Sequence, residues 1–270
     1  LCSADAAFHV YASDAINITK NDGGTVTVGE VSLSGNESSK SFNVIEGDKI
    51  NVSAVPDAGW QISSVSVNGI QQNLHGNFET FRTEITAKDE DISIDVKFVK
   101  LYTIIVCYDS ESGTIEASPE CKGGTIYAVS GDKVTLKATP KSEYRVSEVK
   151  IDDSITKYDT NEFNSSHPYE WTGIANKDYT VEITFAPLVY KIECNIPSNA
   201  SVSLSGSRVN IHEDATLEIT CKSNYKISKV LVNDIDMTAS LTESDGSAVV
   251  LVIPDIKENK KIEISIAESE

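Results

Sequence analysis

The sequence predicts an all-β chain built from three tandem modules of about six short strands each, sandwich-like, with a β-grasp-like arrangement as the alternative. Three observations carry this. Gly47-Asp48-Lys49-Ile50-Asn51-Val52-Ser53-Ala54-Val55-Pro56 returns as Gly131-Asp132-Lys133-Val134-Thr135-Leu136-Lys137-Ala138-Thr139-Pro140, and more weakly as Glu213-Asp214-Ala215-Thr216-Leu217-Glu218-Ile219-Thr220-Cys221. The aromatics that follow, Trp60, Tyr144 and Tyr225, align at a period of roughly 80 residues, the size of a small domain and longer than a solenoid unit. Val, Ile, Thr and Tyr alternate with polar residues, the period of half-buried strands, while long runs of helix formers are scarce.

The second module justifies its strands in order. Leu101 to Cys107 alternates and ends at a turn around Ser112-Gly113; Thr114 to Ala117 follows, then a Lys122-Gly123-Gly124 turn. Val134 to Thr139 is stopped by Pro140, which donates no ladder hydrogen bond. Arg145 to Ile151, Tyr169 to Gly173 and Tyr179 to Phe185 complete the set. The closing strand also recurs: Ile94, Val96 and Phe98, then Val181, Ile183 and Phe185, then Ile262, Ile264 and Ile266, each on one face of a sheet. Module bounds follow at 8–100, 101–187 and 188–270, after a tail at 1–7. The linkers, Val99-Lys100 and Ala186-Pro187-Leu188, are short enough to imply a stiff rod.

An aromatic that returns at one place in divergent modules fills one hole, so Trp60, Tyr144 and Tyr225 are expected to be largely buried. Trp171, two residues from Tyr169, is expected in a core as well. Asn68, Asp152 and Asn233 recur just after a strand and read as turn formers that bond their own backbone.

At this point the second module resembles the bacterial repeat domain, the divergent internalin-type B-repeat. Tyr102-Thr103-Ile104-Ile105-Val106, Gly113-Thr114-Ile115, Gly131 through Pro140, Tyr144 and Phe185 fit its pattern in order, and the first module fits from Gly24 to Phe98 with Gly59-Trp60 in place of Gly-Tyr. The third departs, with His212 for the Gly, Cys221 for the Pro and Ile266 for the Phe. The resemblance implies a β-rich module used as a stalk or adhesive repeat on bacterial surfaces. The pattern carries no catalytic signature.

Charge narrows the partners. Lys and Arg number 23 against 41 Asp and Glu, a formal net charge of −18. That disfavours nucleic acid, whose phosphates require cations, and equally an anionic membrane surface. No apolar run approaches the roughly 18 to 20 residues that span a bilayer. The His residues, at 9, 75, 167 and 212, fall in separate loops without a partner at metal-binding spacing. Asp89-Glu90-Asp91 and Asp152-Asp153 point their carboxylates apart and read as solvated turns, since calcium needs about six to eight converging oxygens. No nucleophile elbow or phosphate-cradling loop is present. The expectation is no enzyme, no metal and no cofactor.

The start Leu1-Cys2-Ser3-Ala4-Asp5 matches in part the mature end of a bacterial lipoprotein, with Cys2 as the lipidated residue; Leu1 is not the usual small residue there, and an ordinary terminal cysteine is the other reading. Cys107, Cys121, Cys194 and Cys221 remain, an even number that suggests disulfides in an exported chain. Cys194 and Cys221 each end an alternating strand and are expected in one core, bonded or as buried thiols; Cys107 and Cys121 flank a hairpin.

The stretch between the fourth and fifth strands is the least regular part of each module, and loops on a rigid scaffold are where recognition is found. Tyr158, Phe163 and His167 in the second module, with His75 and Phe78 in the first, are therefore the ligand-contact candidates; rings folded back over the sheet edge are the plainer reading. Two functions follow. The first is a non-enzymatic structural or adhesive protein of a bacterial surface, contacting extracellular protein or matrix and anchored, if at all, through a lipid on Cys2 in the outer membrane. The other is a glycan-binding surface lipoprotein of a polysaccharide-uptake system, which requires coplanar, exposed rings in the irregular loops.

Overall fold

A computed structural model describes residues 14–74, 79–244 and 248–269. The tail at 1–7 with Cys2, and the contact candidates His75 and Phe78, lie outside the described residues. The chain divides into two compact units: residues up to Ile104 with Tyr127–Val134 and Gly173–Asp178, and Ile105–Ile126 with Thr135–Thr172 and everything from Tyr179 on.

The first repeat holds β1 (Asp14–Lys20), β2 (Gly24–Val28), β3 (Val31–Leu33), β4 (Ser39–Val44), β5 (Lys49–Pro56), β6 (Trp60–Val67), β7 (Ile70–Gln71), β8 (Phe81–Thr86) and β9 (Ile92–Tyr108). The second adds β10 (Gly113–Ser118), β11 (Thr125–Val129), β12 (Lys133–Pro140), β13 (Tyr144–Ile151), β14 (Ser154–Lys157), β15 (Tyr169–Ile174) and β16 (Tyr179–Pro187). The third adds β17 (Val189–Cys194), β18 (Ala200–Leu204), β19 (Arg208–Asn210), β20 (Ala215–Cys221), β21 (Tyr225–Val232), β22 (Ile235–Asp236), β23 (Thr242–Glu243), β24 (Ala248–Ile253) and β25 (Lys260–Glu268).

One topology recurs. The sheets β3-β2-β5-β8, β10-β12-β15 and β18-β20-β24-β23 are counterparts. Opposite the first lie β4, β1, β9, β6 and β7, and opposite the third β19-β17-β25-β21-β22. The opening strand runs parallel to the closing one: Ile18 lies beside Ile94, and Cys194 beside Ile262. The strand starting at the repeated aromatic is antiparallel to the closing strand and carries a bulge at the same place each time, between Ile62 and Ser64, Val146 and Glu148, and Ile227 and Lys229. A bulge bends the strand and sharpens its twist.

Alternation places the cores. Ile16, Ile18, Val26, Val52, Ile62, Val65, Ile94 and Val96 close the first between its two sheets, and Ile192, Leu217, Ile219, Val230, Leu251 and Ile262 close the third. Each fully buried Val, Leu or Ile stabilises by about 1.5–3 kcal/mol. Two facing sheets with a shared core make these modules sandwiches. A β-grasp needs a helix on its sheet, and the one helical turn among the described residues is Thr238–Ser240.

Close packing explains the Gly that opens β2 and β10. A Cβ on Gly24 would lie 2.4 Å from the Phe98 ring, and one on Gly113 2.4 Å from Phe185. The third repeat changes both partners, Ala200 and Ile266, and both still pack against its core.

Three expectations change. Six strands per module becomes eight or nine among the described residues; the six drawn for the second module are present, joined by β11, whose buried Ile126 and Ala128 flank an exposed Tyr127 that hides the alternation in the sequence, and by β14, which is exposed throughout and has no apolar face. The first linker is absent: Val99, Lys100 and Leu101 are inside β9, and only Leu188 separates β16 from β17. Trp60, Tyr144 and Tyr225 open equivalent strands and are largely buried as expected, with full burial at Ile62 and Val146 two residues on. Asn68, Asp152 and Asn233 are left-handed turn residues (φ 48, 50 and 47). Their side-chain oxygens bond outward, accepting the N–H of Ser93, Thr180 and Lys261 on or beside the closing strand at 2.8, 3.0 and 2.8 Å.

Among the described residues the four cysteines are free thiols, Cys107 exposed and Cys121, Cys194 and Cys221 half-buried. Cys194 packs against the third core on β17, whereas Cys221 ends β20 opposite Ala200 in the facing sheet. Burial pushes the Cys121, Cys194 and Cys221 thiols above their ordinary value.

A candidate functional site around Leu188

Of the loops singled out by irregularity, the one between β14 and β15 is described in full. Its backbone is tied to β13: the N–H of Val146 donates to the carbonyl of Phe163, and that of Tyr158 to the carbonyl of Ser147. Arg145 reaches the Tyr158 carbonyl at 2.6 Å. With its chain held along the strand, the loop turns its rings inward. Tyr158, Phe163 and Tyr169 pack on one another, at centroid separations of 4.9 Å (Tyr158–Phe163), 5.2 Å (Phe163–Tyr169) and 6.0 Å (Tyr158–Tyr169). Two of the three contacts are edge-to-face, at 86° and 89°, the arrangement the ring quadrupole favours. Burial, then Tyr158, pushes the Tyr169 hydroxyl up to about 12.

The candidates therefore divide. Tyr158 and Phe163 come together, half-buried, in this cluster; His167 stands exposed, its N–H closing the turn at Asn164. The rings form no flat platform. Trp171 packs edge-on against Tyr179 at 5.6 Å and is half-buried.

The loop's polar residues face the third repeat. Asn161 brackets Val189, its Nδ2 donating to the Val189 carbonyl at 2.7 Å and its Oδ1 accepting the Val189 N–H at 2.8 Å. Asp159 is ion-paired with Arg208 of β19, and that guanidinium holds the Asp159 carboxyl below its ordinary value. Leu188, the single residue between the strands, donates to the Glu143 carbonyl and accepts from the Ile211 N–H. Both residues that enter the third repeat thus have both backbone groups bonded. His212, next to Ile211, sets Nδ1 2.7 Å from Asp255 and Nε2 3.2 Å from Glu143.

Sequence reasoning singles out this loop by its rings. Its aromatics stood out by type, whereas Arg145, Asp159, Asn161 and Arg208 are unremarkable in composition and gain meaning only from what they touch. His212 did carry a signal, standing where the other two repeats have glycine. Chemically the arrangement joins and positions backbone. Among the described residues no group of three or more His, Cys, Asp or Glu side chains is placed to hold a metal ion, and no helix is long and apolar enough to cross a membrane.

Fold and site define an all-β protein of repeated sandwich modules. Residues 105–187 match the family model of the divergent InlB B-repeat domain, which spans most of the second repeat. The match is confined to that repeat, so it shows one segment of the chain to be similar to a repeat domain. No curated protein matches the chain. Among solved structures it is similar to the Bacillus anthracis TIE protein at 10% identity and a TM-score of 0.26, over 95% of this chain and 51% of that one. The chain thus spans about half the length of that protein. The I9–I11 tandem of titin aligns at 8% identity and 0.16, over 93% and 95% of the two chains. The major pilin protein T-13 of Streptococcus pyogenes aligns at 12% and 0.15, over 95% and 97%. Scores this low carry nothing further about fold or function.

Proposed function

We propose that the chain is a non-enzymatic spacer of a bacterial surface or secreted protein, a stiff series of modules bounded near 8–100, 101–187 and 188–270 that presents surface to extracellular protein or matrix. One observation carries the reading: the loop best suited by position to recognition is used to grip the next repeat, through Asn161 on Val189 and Asp159 on Arg208. A loop spent in this way supports a role in spacing and display. The perpendicular, half-buried packing of Tyr158, Phe163 and Tyr169 speaks against sugar stacking. The net charge of −18 keeps such a chain soluble and off anionic lipid, which leaves attachment to a lipid on Cys2 in the outer membrane.

Small-angle scattering of the whole chain tests this. A single elongated form is expected, with Asn161→Ala broadening the distribution. A compact particle, or an Asn161→Ala profile superimposable on the parent, would count against a stiff spacer. A glycan array run beside it, with Tyr158→Ala and Phe163→Ala, would promote the sugar-binding reading if binding appeared and was lost in the variants.

A further inference from the structure

The turn leading into β5 and the turn leading into β12 each hold a glycine in the left-handed region, Gly47 and Gly131, both at φ 91. Their N–H groups donate to Ala87 and Ala175. The third repeat makes the same bond, from His212 to Ile256, but with a side chain at φ 68. L-residues are disfavoured there, and such an outlier persists where surrounding contacts hold it. The residue before each repeated aromatic is a second left-handed position, filled by Gly59, Glu143 and Asn224 at φ 76, 69 and 68. Gly59 accepts the N–H of Leu101 just as Glu143 accepts that of Leu188. One passage between repeats therefore has Gly59 and Gly131 in these two places. The other has Glu143 and His212, whose side chains meet.

The ring of His212 lies between two carboxylates, Asp255 on Nδ1 at 2.7 Å and Glu143 on Nε2 at 3.2 Å. A carboxylate only accepts, and a neutral imidazole has one N–H, so only the imidazolium donates to both. Other charges nearby leave that geometry intact. Lys257 sits on the far oxygen of Asp255 at 2.6 Å, Asp214 accepts the Asp255 N–H, and Glu213 is occupied with Asn210.

We propose that His212 is an acid-strengthened latch between the second and third repeats: protonated, it ties Glu143 to Asp255, and on losing its proton it releases one of them. Asp255 first, then Glu143, holds the imidazole above its ordinary 6.5. Lys257 first, then His212, holds Asp255 below its ordinary 3.8. The sign follows. The latch is fully present below pH 6.5 and is lost as pH rises through the raised value; at the acid end it fails as its carboxylates take protons, which for Asp255 comes only below 3.8. The ring and both carboxylates are roughly half exposed, so salt also weakens it. The bonds of Leu188 to Glu143 and of Ile211 to Leu188 stay in place either way, so the latch sets how often the passage opens.

Amide exchange on the whole chain, corrected for the intrinsic rate at each pH, reads this at Leu188 and Ile211. Protection at both is expected to fall about threefold or more between pH 6 and pH 8.5. His212→Asn, which tolerates the left-handed backbone, should remove that dependence, and Glu143→Gln should halve it or more. Proton NMR should show His212 titrating above its ordinary 6.5 in the parent chain, which needs no variant to fold. Equal pH dependence in the parent and His212→Asn, or a His212 midpoint at or below 6.5, would overturn the latch.

Discussion

Phe185 lies against Gly113 so closely that a methyl group added there would sit 2.4 Å from the ring, with the whole edge of the phenyl within 2.8 Å. The same pairing joins Phe98 to Gly24, and where the third repeat has Ile266 for the ring it has Ala200 for the glycine. The two positions thus vary as one unit of packing, since an interior at crystal-like density has no room for an extra carbon.

Gly113→Ala is expected to destabilise by about 1–3 kcal/mol through overpacking. Phe185→Ile on the same chain should recover part of that loss, giving a coupling of about 0.5–3 kcal/mol in a double-mutant cycle followed by urea unfolding. Strict additivity of the two changes would show that the close approach is not what forces the glycine.

The outward bond of Asn68 separates two contributions. Asn68→Asp keeps both the acceptor for Ser93 and a tolerance for φ near 48, and should unfold close to the parent. Asn68→Ala loses the bond, about 0.5–1.5 kcal/mol, and meets a left-handed penalty of about 1–2 kcal/mol. An alanine variant as stable as the aspartate would contradict the account.

Alkali should reveal the aromatic cluster. Tyr169 is held protonated up to about 12 against an ordinary 10.0, by burial first and Tyr158 second. The folded form therefore keeps a proton that the unfolded chain gives up, so this stabilisation is complete below pH 10 and declines as pH climbs towards 12. Tyr169→Phe should flatten the decline between pH 10 and 12 in denaturant midpoints. An unchanged slope would place the origin elsewhere.

Thiol labelling checks the cysteines. Exposed Cys107 should be alkylated first at pH 8 in the absence of reductant, and Cys121, Cys194 and Cys221 later, because burial both hides them and disfavours their thiolates. A Cys194–Cys221 bond found by peptide mapping would replace the free-thiol description of that pair.

The sequence by itself determined what is local and periodic: three repeats, strands wherever alternation lasts six residues or more, the stop at Pro140, and the glycines and aromatics that recur. Short edge strands escaped it. Two to five residues such as β7 or β14 have no period to read, and their existence depends on a neighbour's unpaired backbone groups. The same limit governed the site. Nothing in Asn161 announces that its amide will bracket Val189, 28 residues away, nor does Asp159 announce Arg208. Tyr158 and Phe163 were legible as rings in a loop, but whether a ring faces solvent or another ring is decided by where the backbone is tied, here at Ser147 and Val146. Tertiary structure settled these matters because a hydrogen bond or ring contact is fixed by position in space, and positions far apart in the chain are brought together only when the sheets close.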